Sequence, residues 1–230
     1  RDDYDEALGI ARRRLALEFV DEATPQRPFT LKEKALYLLG DVLLRQGDGD
    51  GAMAAFGQLL DQYEGSLFEI PVRLNRATHL FATGNLDGAV VAFEDLRTRG
   101  LDKEQAFSVN FYLANARYSL RQFEEAHRLF DELLTSDPNA PERADLLFGL
   151  AESKYQLGDF EQASAQYRQI LAEFPNETSA DDSQYNLAWC LIELGREDEA
   201  MAEFGRILEN YPDSEFAAAA QFTFGDYAYN

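Results

Sequence analysis

Gly158-Asp159-Phe160-Glu161-Gln162-Ala163 sets a helix-stopping glycine five residues before an alanine. Tyr167 follows Ala163 by four residues, Ile170 comes three further on, and Phe174-Pro175-Asn176 closes the run. Upstream, the small residue Ala151 stands twelve positions before Ala163. The same set recurs along the chain. Alanine returns at Ala52, Ala89, Ala126, Ala163 and Ala200, in steps of 37 residues. Each is followed by an aromatic (Phe56, Phe93, Phe130, Tyr167, Phe204) and then an aliphatic (Leu59, Leu96, Leu133, Ile170, Ile207). Each is preceded by a small residue: Gly40, Ala77, Ala114, Ala151 and Ala188. Turn glycines Gly47, Gly84, Gly158 and Gly195 lie between, with Arg121 the exception. Five residue classes held in register over five copies define an internal repeat.

Each class has a physical task. Small residues and alanines let two helices approach closely. The aromatic and aliphatic residues stand at i, i+4, i+7 spacing from the alanine and fill the space between neighbouring pairs. The glycines stop first helices in a left-handed conformation. Tails such as Phe174-Pro175-Asn176 and Tyr211-Pro212-Asp213-Ser214 stop second helices, because proline cannot continue one. First helices are predicted near 31–46, 67–82, 105–120, 142–157 and 179–194, and second helices near 49–63, 86–99, 123–135, 160–173 and 197–210. No window alternates in the manner of a strand.

The pattern resembles the tetratricopeptide repeat, above all in Gly158-Asp159-Phe160-Glu161-Gln162-Ala163 and Leu187-Ala188-Trp189. The resemblance covers essentially the whole chain. It implies an all-α, right-handed superhelical solenoid of antiparallel helix pairs, here with a 37-residue period instead of the usual 34 or so. The expected array comprises a truncated leading second helix in 1–24, repeats at 31–66, 67–103, 104–140, 141–177 and 178–214, and the first helix of a sixth unit in 215–230. Asp3-Tyr4-Asp5-Glu6-Ala7 resembles the start of a second helix, joined to the first full repeat by a long connector through Pro25 and Pro28. Neither end carries the polar cap a solenoid needs, so the chain reads as a segment of a longer array. The period and the Tyr-Pro-Asp-Ser ending are similar to repeats of bacterial cell-envelope proteins, the TolA-binding periplasmic proteins and the outer-membrane assembly lipoprotein. A periplasmic or envelope location is expected ahead of a cytoplasmic one.

Composition bounds the partners. With 42 acidic and 21 basic residues the net charge is −21, which disfavours a nucleic-acid backbone or an anionic membrane surface as partner. The acidic excess first serves solubility and permits a basic partner. No stretch has the roughly 18 consecutive apolar residues of a membrane span. The single cysteine, Cys190, forms no disulfide within the chain and reads as a buried small hydrophobe.

In the family resembled, first helices line the concave surface, so their inward positions are the expected binding residues. Three columns recur at the 37-residue step. The first, Tyr37, Leu74, Phe111, Phe148, Tyr185 and Phe222, either faces the groove or packs between repeats; periodicity alone does not separate the two. The second, Asp41, Thr78, Asn115, Glu152 and Trp189, varies in chemistry as a surface does. The third is Leu44, Phe81, Tyr118, Tyr155 and Ile192. With Asn75, Tyr112 and Asn186 these columns supply the candidate peptide-binding residues: Tyr37, Asp41, Asn75, Thr78, Phe81, Phe111, Tyr112, Asn115, Tyr118, Phe148, Glu152, Tyr155, Tyr185, Asn186 and Trp189. Some members of the family clamp a C-terminal carboxylate with basic residues. Here the corresponding positions carry Pro71, Asn75, Ser108, Tyr112, Asp145 and Gly149, so that clamp is not expected. Asp145, Glu152, Asp182 and Glu193 suggest a basic or neutral ligand instead.

Other features have plainer readings. Gly47-Asp48-Gly49-Asp50-Gly51 lacks the twelfth-position glutamate of a calcium loop and reads as a turn with a capping aspartate. His79 and His127 fall in different repeats without a ligand cluster. Arg12-Arg13-Arg14 reads as a solvated helix face, and Asn176-Glu177-Thr178 sits where the repeat needs a turn. No nucleophile set, phosphate loop or zinc spacing is visible, and neither a cofactor nor a metal is expected. The expected function is a non-catalytic scaffold holding a protein or peptide, in a bacterial envelope complex. The alternatives are a structural spacer or self-association segment of a larger multidomain protein, the latter acting through its uncapped C-terminal helix, and a regulatory domain of an enzyme whose catalytic part lies elsewhere.

Overall fold

The computed structural model describes residues 2–16, 30–177 and 179–229. Among them are twelve helices and no strand: α1 (Asp2–Leu15), α2 (Leu31–Gln46), α3 (Gly49–Gln62), α4 (Glu69–Ala82), α5 (Leu86–Arg97), α6 (Lys103–Ser119), α7 (Phe123–Ser136), α8 (Arg143–Gln156), α9 (Phe160–Glu173), α10 (Ala180–Glu193), α11 (Glu197–Asn210) and α12 (Ala217–Tyr229). From α2 to α11 each helix falls within two residues of its expected ends. The continuation of the leading helix to residue 24, the connector through Pro25 and Pro28, and Thr178 lie outside the described residues.

Local chemistry sets the helix ends. Thr30 and Glu33 form a capping box at the start of α2, with the Glu33 amide donating to Thr30 Oγ1 at 3.0 Å. Asp48 Oδ1 accepts from the Gly51 amide at 2.9 Å, so the Gly-Asp-Gly-Asp-Gly turn caps α3. Asn85 and Asp159 do the same for α5 and α9. Gly47, Gly84, Gly158 and Gly195 all take positive φ at the turn. Arg121, at the same place in its repeat, is the one non-glycine residue with positive φ among the described residues, at 61°. The repeat requires a left-handed residue there, and the arginine bears the steric cost.

The chain forms two compact units, residues 1–109 and 110–230. The first has its core in Leu36, Leu43, Ala52, Phe56, Leu59 and Val72, against which Tyr37 and Phe68 pack. The second is centred on Ala151, Ala163, Tyr167, Ile170, Leu187, Ala188, Leu191, Phe204 and Ile207. In the second unit α8 packs against both α7 and α9, and α10 against both α9 and α11. Every alanine, aromatic and aliphatic of the three second-helix classes is buried. Burial of each large member contributes roughly 1.5–3 kcal/mol, which is why these classes hold their register. Cys190 is buried as expected, and its thiol is pushed up to about 12, chiefly by burial. His79 packs over Gly49, where an added Cβ would stand 2.4 Å from the ring.

Candidate functional site

All fifteen candidate residues are half-buried, in contrast to the buried second-helix classes. Their surroundings differ between the units. In the first, Tyr37 stacks on Phe68, with ring centroids 4.9 Å apart. Burial, and then the Asp41 charge, raises its phenol pKa. Asp41 is paired with Arg45 at 3.0 Å. The Thr78 hydroxyl donates back to the carbonyls of Leu74 and Asn75, at 3.1 and 3.0 Å. Asn75 and Phe81 are partly accessible on the same helix.

In the second unit, Tyr185 repeats the stack of Tyr37, its ring 4.7 Å from that of Phe216. Phe216 holds the place of Phe68 four repeats on. The three intermediate repeats carry Gln105, Glu142 and Ser179 there, so the position that would cover Phe111 or Phe148 holds a polar residue. The first column therefore packs between helix pairs at Tyr37 and Tyr185. At Phe111 and Phe148 it lines a hollow.

That hollow, of about 310 Å³, lies between α6 and α8. Phe111, Asn115 and Tyr118 line it from α6, and Asp145, Phe148, Gly149 and Glu152 from α8, with the Phe130 ring of α7 at its floor. Positions 145, 148, 149 and 152 share one helical face through their three-, four- and seven-residue spacing. Gly149 lets the Phe130 ring pack directly against α8: a Cβ there would stand 2.6 Å from that ring. Asn115 is held at the wall by donating its amide to the Phe111 carbonyl at 2.8 Å. Tyr112 stands beside it on α6, partly accessible, and sets its ring edge-on to Phe111 at 5.9 Å.

Glu152 organises the polar side. Its Oε2 accepts from the Tyr118 hydroxyl at 2.7 Å, and its Oε1 accepts from Asn186 Nδ2 at 2.7 Å and from the Tyr167 hydroxyl. These donors come from α6, α10 and α9, so one carboxylate ties three helices of the unit to α8. All three are neutral, so the negative charge is oriented but not cancelled. Burial and this carboxylate raise the phenols of Tyr118 and Tyr167. Partial burial, then Glu142 and Glu177, raises the Asp145 carboxyl above its ordinary value. Asp182 is raised by burial and then by Asp181, Glu152 and Glu215. Among the described residues no lysine or arginine is ion-paired to Asp145, Glu152 or Asp182.

Tyr155 and Trp189 stand apart from the hollow. Tyr155 sets its edge against Phe160 at 5.3 Å, as Tyr118 does against Phe123 at 5.4 Å. Burial raises the Tyr155 phenol. Trp189 meets Tyr185 and Phe204 edge-on at 6.1 and 5.8 Å. Sequence reasoning passed over Tyr167, Gly149 and Phe130 as site residues. Tyr167 did carry a signal: it is the one tyrosine in a column otherwise made of Phe56, Phe93, Phe130 and Phe204. A buried hydroxyl at such a place needs an acceptor.

The two-helix units and their periodic first-helix face define a helical-repeat protein. A family model for the tetratricopeptide repeat matches residues 1–67, 37–103, 74–141, 111–178 and 148–215, and the chain belongs to that family. No curated protein matches it. Similar solved structures include MamA from Desulfovibrio magneticus RS-1, at 13% identity and a TM-score of 0.69 over 80% of this chain and 98% of that one. Another MamA structure gives 16% identity and a TM-score of 0.64 over 76% and 95%. YrrB, a TPR protein with an unusual peptide-binding site, gives 14% identity and a TM-score of 0.67 over 83% and 93%. At these identities the likeness concerns the fold.

Proposed function

We propose that this chain is a non-catalytic interaction scaffold that holds a peptide or protein on the first-helix face of its second unit, around α6, α8 and α10. The observation that carries this reading is the preformed hollow of Phe111, Phe130 and Phe148 with Glu152 fixed beside it by three donors. A site already ordered in the free protein spares the scaffold most of the ordering cost of binding. The tetratricopeptide fold and the peptide-binding site of YrrB support the same class of activity. The 37-residue period and Tyr211-Pro212-Asp213-Ser214 support placing the scaffold in a bacterial envelope complex, which fractionation of the source cell checks.

The test is selection of a displayed random-peptide library on the chain, followed by amide hydrogen exchange of the protein with and without a selected peptide. Protection concentrated on α6, α8 and α10 is the expected result. Protection elsewhere, or no selectable peptide, overturns the reading. A second reading, self-association, is favoured by Phe222 and Phe224, which α12 leaves 77% and 43% exposed. Sedimentation over a hundredfold concentration range decides it: a constant monomer mass removes it.

A further inference from the structure

We infer that the hollow between α6 and α8 receives a lysine or arginine side chain of the bound partner, with Asp145 taking the cation. This rests on the scaffold reading and adds the chemistry of the ligand to it.

Shape comes first. About 310 Å³ is at the small end of ligand pockets and suits one long side chain better than a cofactor. The walls are the rings of Phe111 and Phe148, and the buried Phe130 ring, packed directly against Gly149, closes the floor. Apolar walls with a charged rim are complementary to a side chain that buries a methylene stem and keeps its charge at the water boundary. The rings add attraction for a cation passing over their faces.

Charge selects among long side chains. Asp145 and Glu152 line opposite ends of the α8 wall, seven residues apart, and neither has an ion-pair partner among the described residues. Glu152 already accepts three hydrogen bonds, leaving about one of a carboxylate's four acceptor sites. It therefore serves as a fixed source of negative potential. Asp145, exposed at the rim and crowded by Glu142 and Glu177, has its acceptors available, and a cation relieves that crowding. A glutamate or a free C-terminal carboxylate meets only repulsion here, whereas a neutral residue of similar length gains the apolar contact alone.

The experiment uses the chain and heptapeptide pools, random except for a central residue fixed as Lys, Arg, Gln, Leu or Glu. Retention of each pool is measured on immobilised wild type, on Asp145→Asn, and on Asp61→Asn, which removes the same charge from an exposed position at the end of α3. Circular dichroism first establishes that all three are equally helical. The expected result is about tenfold greater retention of the Lys and Arg pools over the Gln pool, lost in Asp145→Asn and kept in Asp61→Asn. Equal retention of basic and neutral pools overturns the inference and leaves the scaffold reading standing. Equal loss in both variants shows unspecific attraction to an acidic protein and also overturns it. Retention of no pool by any of the three removes the scaffold reading with it.

Discussion

Tyr118 on α6 donates its hydroxyl to Glu152 on α8 at 2.7 Å, across 34 residues of sequence, and Asn186 on α10 reaches the same carboxylate across another 34. The link is polar, half-buried and shared between consecutive first helices. Removing the acceptor strands the buried Tyr167 hydroxyl as well as the two other donors. Glu152→Ala is therefore expected to lose about 2–3 kcal/mol. Glu152→Gln, which keeps one carbonyl acceptor, should lose less. Urea unfolding followed by far-ultraviolet circular dichroism measures both, and an unchanged Glu152→Ala midpoint would refute the hydrogen-bonded cluster.

Gly149 is tied to the Phe130 ring by steric necessity. Gly149→Ala must displace that ring or shift α8, at a cost of about 1–3 kcal/mol, and either movement disturbs the hollow that both residues line. Gly100→Ala, where an added Cβ meets nothing within 4 Å, is the control and should stay within about 0.5 kcal/mol of wild type. Thermal melts of the pair decide the stability claim. Binding of a selected peptide to Gly149→Ala should fall at least tenfold.

Arg121 sits at φ 61° where the other full repeats use glycine. Relief of the left-handed strain is partly offset by the greater freedom of glycine in the unfolded chain. It is offset again by loss of the guanidinium from the Phe123 ring, 5.9 Å away. Arg121→Gly is expected to stabilise the protein by about 0.5–1 kcal/mol. A lowered melting temperature would show that the cation–ring contact outweighs the backbone.

His127 has its pKa lowered by burial and then by the Lys154 charge, against opposing effects of Asp131 and Asp159. Its Nδ1 is buried without a hydrogen-bond partner. The folded state thus binds the proton less readily than the unfolded state does. Stability from this residue is complete above about pH 6.5 and is lost as pH falls from there through the lowered folded value. Relative to His127→Gln, the wild type's unfolding free energy should therefore decline between about pH 7.5 and about 5.5.

Asp145 and Asp182 carry the opposite sign. Their raised carboxyl values mean that the folded state holds protons more tightly, so their contribution is full at low pH and is lost as pH rises through those values. At neutral pH, Asp145→Asn and Asp182→Asn should be no less stable than wild type by thermal denaturation. A clear fall in melting temperature for either would show that its charge has a stabilising partner.

The helices were legible because each repeat meets the same local demand. The buried alanine, aromatic and aliphatic positions recur at one spacing, and Asp48 and Gly47 mark a turn by their own chemistry. The first column was half legible. Its periodicity placed Tyr37, Phe111, Phe148 and Tyr185 on one face, but the face is used in two ways. The choice depends on whether residue 68, 142, 179 or 216 is aromatic, 31 residues downstream of the ring it would cover. Tyr167 reads from sequence as a core filler, since its ring is one; its hydroxyl matters only through Glu152.

By itself the sequence determined the all-helical repeat, the places where its helices start and stop, and the side chains that enter the core. Those properties follow from backbone preferences and from burial patterns that repeat along the chain. The tertiary structure decided which half-buried residues act together. Glu152 gathers donors from α6, α9 and α10, and position 149 must be glycine only because the Phe130 ring packs against it. Such a site depends on distances between residues far apart in sequence, and these exist only once the helices have packed.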